Sequence, residues 1–374
     1  MIKLTEFNER NERIKHRYFT YLSRADGKCE ATVNAVAKSL DRFETHTGRR
    51  DFRSFHYRQA DAFKRHLADQ PNQRSGAPLS LSTQRATLGH LRKFIIWLAD
   101  QTGFRSRVKY SDAAYFSLSD KENRIATASG LPKGPTIEQV KHVLSRMPAS
   151  TDVERRDRAL IAFALVSGAR DSAIASFKLK HIDVPMRLVF HDAREVNSKN
   201  SKTFPTWFFP VGEDVIAIVA EWISYLRTVL LWGDDDPVFP STRSANGPAR
   251  LFQAAGLDRK HWVTTSPIRR IFRKAFEGAG LLYVNPHSFR NTLTRFALSM
   301  GLTPEQMKAW SQNCGHEDVM TTIRSYGDVP PARQEEVMRE LATPKAPAHD
   351  LASLAKAVAR ELGLGDHGKV DVPR

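Results

Sequence analysis

At 374 residues the chain exceeds what one hydrophobic core usually organises, so about two domains are expected, each long enough to bury a core of its own. Lys and Arg outnumber Asp and Glu by 16 and the pI is near 9.9, which points to a polyanionic partner, nucleic acid ahead of an anionic membrane surface. No apolar run approaches the roughly 20 residues that cross a bilayer, the start Met1-Ile2-Lys3-Leu4-Thr5-Glu6 lacks the order of a signal peptide, and Cys29 and Cys314 stand far apart, which excludes a disulfide framework and fits a reduced, cytoplasmic setting.

The opening run Glu9 to Arg17 is of mixed charge without a clear apolar stripe, and predicts an exposed helix or arm. Val33, Val36, Leu40 and Phe43 then recur at three and four, the period of a helix. Another helix is expected around Ala60, Phe63 and Leu67. After the breaker cluster Pro71 to Pro78, Ser82 is placed to cap a helix carrying Leu88, Leu91, Ile95 and Leu98 on one side. Residues 1–112 thus read as a small all-helical domain, and 113–135, rich in Ser, Asp, Lys, Gly and Pro, as a linker.

A second domain, 136–342, opens on Thr136-Ile137-Glu138-Gln139, a capping box backed by Ile137, Val140 and Leu144. Glu154 to Ser167 predicts a helix stopped by Gly168, with Arg170 at the turn into a short helix, Asp171 to Lys178. The period changes at Arg187 to His191 and Thr206 to Val211, two β-rich runs joined by the turn formers Asn197 to Lys202, a hairpin with Lys199 and Lys202 near its tip. The fold class is therefore mainly α with a small antiparallel sheet in the second domain. Val215, Ile218, Trp222 and Leu226 make the next helix, closed by Asp236 to Pro240. Arg269, Arg270, Arg273 and Lys274 then recur along a helix between Ile268, Ile271 and Phe272, a pattern that serves as a phosphate-contacting stripe or as a solvated face.

Residues 283–326 concentrate groups able to handle a phosphate: His287, Arg290, His316 and Tyr326. His287 and Arg290, three apart, fall on one side of a helix and can grip one anion. Gly301, Thr303 and Pro304 read as a stop, an N-cap and a first helical position, so a new helix starts at Pro304. Tyr326 is the candidate nucleophile. A zinc site from Cys314, His316 and His287 lacks paired ligand motifs. Residues 343–374 form a tail in which Leu351, Leu354, Val358 and Leu362 mark a last helix, packed on its own domain or docked on a neighbouring subunit.

Taken together, Ser167-Gly168-Ala169-Arg170, Asn200-Ser201-Lys202-Thr203, His287-Ser288-Phe289-Arg290-Asn291-Thr292 and Gly315-His316 before Tyr326 resemble the tyrosine recombinase (phage integrase) family over roughly residues 136 to 340. The resemblance implies a site-specific recombinase or integrase, of a mobile element or phage, with a helical core-binding domain and a catalytic domain that clamp duplex DNA and work as a tetramer. It implies that Arg170, Arg290 and His287 hold the phosphate, Lys202 protonates the leaving 5′ oxygen, His316 assists, and Tyr326 forms a 3′-phosphotyrosyl bond without metal or cofactor. Lys199, Arg269, Arg270, Arg273 and Lys274 are DNA-binding candidates. The chain departs from the family at two places. Ala173 stands where an acidic residue commonly follows the first arginine, and Tyr326 is ten residues after His316 rather than nine. A binder of the same fold with impaired chemistry and a type IB topoisomerase-like enzyme are the alternatives.

Overall fold

Helix α1 (Glu9–Arg24) already corrects one expectation, because it is packed rather than a free arm: Asn11, Ile14, Lys15, Tyr18 and Leu22 are buried along one face. The stripe escapes a hydrophobicity reading because two of its members are polar and find partners far along the chain. Asn11 donates to Glu44 Oε1 at 2.9 Å and Lys15 pairs with the other Glu44 oxygen, a carboxylate that is completely buried. A buried charge is tolerated only when paired in this way.

The computed structural model describes residues 7–72, 76–127, 134–198, 202–246 and 252–316, together with 334, 338 and 339. It divides into two compact units, 1–128 and 129–374. In the first, α2 (Glu30–His46), α3 (Tyr57–Asp69), α4 (Leu81–Ala99) and α5 (Asp120–Thr127) join α1 around Leu40, Phe63, Leu67, Leu91, Phe94 and Ile95. Ser80, not Ser82, caps α4, accepting from Thr83 N at 3.2 Å. The stretch read as a linker is packed structure through its first half. Ala113, Phe116 and Leu118 are buried in this core, and α5 lies against α4. Its apolar residues are too sparse among polar ones to show a period.

The second unit is built around α7 (Asp152–Ser167), after α6 (Ile137–Arg146). Every residue of α7 from Ala159 to Ser167 is buried, as befits a helix apolar on all sides. It is flanked by α6 and by α9 (Glu213–Thr228). Between α7 and α9 come the short α8 (Asp171–Ile174) and a sheet of β1 (Ile182–Asp183), β2 (Leu188–His191) and β3 (Phe204–Trp207), antiparallel in that order, with His191 opposite Phe204. Helix α9 ends at Thr228, well before the Asp236 to Pro240 stretch expected to close it. Two strands unforeseen from the sequence, β4 (Ser241–Asn246) and β5 (Phe252–Asp258), pair next. They are followed by α10 (Ser266–Gly278), α11 (Ser288–Ser299) and α12 (Pro304–Asn313). Helix α12 starts at Pro304 as read, with a Thr303/Gln306 capping box. Among the described residues no helix is long and apolar enough to cross a membrane.

Candidate active site

Gly168 begins the site. It ends α7 in the left-handed region, φ +57°, where its N–H reaches Ala164 O at 3.1 Å, a conformation that disfavours a side chain. A Cβ there would also lie 3.0 Å from Leu293 and 3.2 Å from Phe209. The sharp turn sets Arg170 in extended backbone at the start of α8, half-buried.

Arg290, on the first turn of α11 and 7% exposed, ties three segments together. One terminal nitrogen donates to Gly168 O at 2.7 Å; the other donates to Cys314 O and to His316 Nε2, the latter at 2.8 Å. A guanidinium has no acceptor, so His316 Nε2 supplies the lone pair and a neutral His316 carries its proton on Nδ1. Helix α11 is itself anchored to the start of the unit. Thr292 Oγ1 donates to Pro135 O at 2.6 Å, and Arg295 to Gly134 O and Pro135 O at 2.7 and 2.8 Å.

Arg170 and Arg290 line one small pocket with Ala173, His191 and Thr206. Burial and then the Arg290 charge push Arg170 down to about 10, and burial also lowers Arg290. Among the described residues the Arg170 side chain donates no hydrogen bond. Its neighbour Asp171 faces Arg269 instead, accepting two bonds of 3.0 and 2.9 Å. Two guanidiniums lining one pocket without a carboxylate between them have the chemistry to attract an anion.

Lys202, half-buried, lies just ahead of β3 on a loop stapled to α8. Ser172 Oγ donates to Asn197 O at 3.0 Å, Asn197 N to Ser176 Oγ at 2.9 Å, and Ser198 Oγ to the Lys202 carbonyl at 2.8 Å. Below the loop, Glu195 accepts from Lys178, Lys180 and His181 at 3.2, 2.9 and 3.0 Å. These bonds tie the residues on either side of the turn, and the Lys202 backbone with them, to the segment that follows Arg170.

The turn bearing His316 is docked on β3. Asn313 accepts from Trp207 N at 2.7 Å and donates to Trp207 O at 2.8 Å, so a side chain completes the strand edge. Gly315, φ +67°, leaves no room for more: a Cβ would come 2.6 Å from the Phe204 ring. Gly315→Ala should therefore lose about 1–3 kcal/mol of stability. Gly278→Ala, in α10 with open space around it, should be neutral or slightly stabilising; urea unfolding of the two compares them, and equal midpoints would refute the packing argument.

His287 precedes α11 with an exposed ring and is not among the residues lining the pocket. Tyr326 and Lys199 lie outside the described residues, as does the 343–374 tail. Of the basic stripe on α10, Arg269 is engaged by Asp171, and Arg273 lies over the Tyr283 ring at 4.4 Å and reaches Glu277 at 3.4 Å. Arg270 and Lys274 stand near Asp157, opposing the rise that burial gives its carboxyl. His191, Phe204 and the Gly168 and Cys314 carbonyls were not anticipated. The one available signal was a histidine at an inward position of β2, whose burial alternates with Val189 on the same face. Among the described residues no group of three or more His, Cys, Asp or Glu side chains could hold a metal ion.

Residues 136–333 match the model of the phage integrase family. The chain is 26% identical over 217 residues to tyrosine recombinase XerC of Halalkalibacterium halodurans, covering 57% of this chain and 64% of that one. It is 25% identical over 195 residues to XerD of Pasteurella multocida, covering 52% and 57%, and 24% identical over 290 residues to XerD of Vibrio vulnificus, covering 77% and 81%. With the first two, the match spans less than two thirds of the relative's length. Among solved structures, a lambda integrase fragment, crystallised as a dimer bound to a core site, aligns with a TM-score of 0.58 at 14% identity, covering 86% of this chain and 96% of that one. That likeness is one of fold.

Proposed function

The chain belongs to the phage integrase family of tyrosine recombinases, whose model spans more than half its length, and from that premise we propose that it is a site-specific DNA recombinase that cuts and rejoins strands through Tyr326. The observation that carries the reading is the pair Arg170 and Arg290, held beside His316 with no carboxylate between them. A phosphodiester resists attack through its own charge and a poor alkoxide leaving group, so the site must supply cations, a proton and a nucleophile.

In this mechanism Arg170 and Arg290 hold the two non-bridging oxygens and His316 adds its Nδ1–H. Tyr326 Oη attacks phosphorus, its proton passing to His287, a part proposed for this exposed residue in place of the phosphate donation that the resemblance implies. The bond from phosphorus to the 5′ oxygen breaks as Lys202 protonates that oxygen. The 3′-phosphotyrosine keeps the ester's energy, and attack by a 5′ hydroxyl reverses the step, so no metal or cofactor takes part. Residues 136–342 are the catalytic domain. The helical N-terminal unit, 1–128, and the α10 stripe bind duplex DNA, and strands are exchanged in a cytoplasmic tetramer. The element is a phage or mobile-element integrase.

The test incubates the full chain with nicked duplexes carrying candidate element ends, then denatures and digests the mixture. A 3′ nucleotide on the peptide containing Tyr326 is the expected product. An adduct on another peptide moves the nucleophile, and no adduct on DNA that demonstrably binds leaves an accessory binder; relaxation of plasmids lacking any such end marks a topoisomerase. Binding should also weaken steeply with salt. Replacing Arg270, Arg273 and Lys274 together by Ser should flatten the slope of log K against log salt by about 2.7, roughly 0.9 per phosphate contact. An unchanged slope removes the stripe from the interface.

A further inference from the structure

His191 sits where a polar group needs a reason. It is 4% exposed, stacked on Phe204 with ring centres 4.2 Å apart and planes at 8°, and met edge-on by Phe177 at 5.0 Å. Neither ring nitrogen has a hydrogen-bond partner among the described residues, although buried polar groups are nearly always paired. It lines the same pocket as Arg170 and Arg290. Burial, and then the Arg290 and Arg170 charges, keep the ring neutral, its pKa lowered to about 3. A neutral imidazole has one lone-pair nitrogen. Beside it, Arg170 has donors that no described residue takes, and Ala173 offers only a methyl group.

We propose that His191 is a positioning residue for Arg170: its lone-pair nitrogen accepts a hydrogen bond from the guanidinium through one water molecule seated in this pocket. The pocket has room for about one water. Thr206, which lines the same pocket and whose Oγ1 donates to Asn313 O at 3.0 Å, retains lone pairs with which to complete the water's partners. The arrangement does with a neutral acceptor what a carboxylate at position 173 would do with a charge. The guanidinium is oriented and its positive charge stays uncompensated for the incoming phosphate. This rests on the reading of Arg170 as a phosphate ligand.

The test titrates inorganic phosphate into the full chain by calorimetry, with Arg170→Ala, His191→Phe and His191→Gln as variants whose melting points are measured alongside. Wild type should bind and Arg170→Ala should not. His191→Phe, which preserves the stack on Phe204, should bind about tenfold more weakly, and His191→Gln, which restores an acceptor, should recover to within about threefold. Equal binding by wild type and Arg170→Ala overturns the phosphate reading itself. Loss in Arg170→Ala with none in His191→Phe overturns the role of His191 alone, as does equal loss in both His191 variants at unchanged melting points. Should His191→Phe not fold, the wild-type chain with 15N-labelled arginine still decides: the Arg170 Nε–H should exchange with water far more slowly than that of exposed Arg273, and equal rates refute the proposal.

Discussion

Arg290→Lys should lower the single-turnover rate of DNA cleavage about 100- to 1,000-fold, the usual cost of removing one charged donor from a phosphoryl-type transition state, while affinity for DNA changes far less. Charge is conserved in this variant, so the loss isolates geometry. The guanidinium fork reaches Gly168 O, Cys314 O and His316 Nε2 at once; an ammonium is a point charge on a flexible stem and cannot reproduce that fork. Two buried carbonyls lose a partner, so stability should fall as well, by about 1–3 kcal/mol. Arg170→Lys provides the contrast. With no hydrogen bond from Arg170 to the described residues, it should lose rate with little change in stability. Cleavage by Arg290→Lys at the wild-type rate, measured at saturating DNA below its melting point, would make Arg290 a structural tie only.

What the sequence displayed was local, and what it concealed was long-range. The Thr136 capping box, the Thr303 cap and the Gly168 stop each depend on residues within a few positions, and each is present; the strand after the turn, which pairs with residues 13 to 19 positions away, falls at Phe204–Trp207 rather than at Thr206 to Val211. The packed face of α1 was concealed because Asn11 and Lys15 become inward residues only through Glu44, about thirty positions away. Strands β4 and β5 contain small and polar residues without alternation. At the site, the order of Arg170, Arg290 and His316 was legible, but not that one guanidinium bonds backbone carbonyls at positions 168 and 314. Such acceptors have no sequence signature, since every residue has a carbonyl. His191 was concealed by the same logic: its neighbours Phe204, Arg170 and Arg290 come from three different elements.

Tyr326→Phe should reduce the covalent DNA adduct to background while DNA binding and melting point stay as in wild type. The substitution removes one oxygen and preserves the ring, so any packing role of the side chain survives and only the nucleophile is lost. Mixing this variant with Arg290→Lys then tests whether each chain completes its own site. His316 is bonded to Arg290, and Tyr326 follows it by ten residues, a tether that reaches at most about 33–36 Å fully extended and about 15 Å as helix. A tyrosine so tethered to the arginine of its own chain is expected to attack the phosphate held there, so the mixture should remain as inactive as either variant alone. Recovery on mixing would mean that Tyr326 is delivered to a neighbour's Arg170 and Arg290. The extra residue between His316 and Tyr326 would then act as the slack that lets the nucleophile cross between subunits.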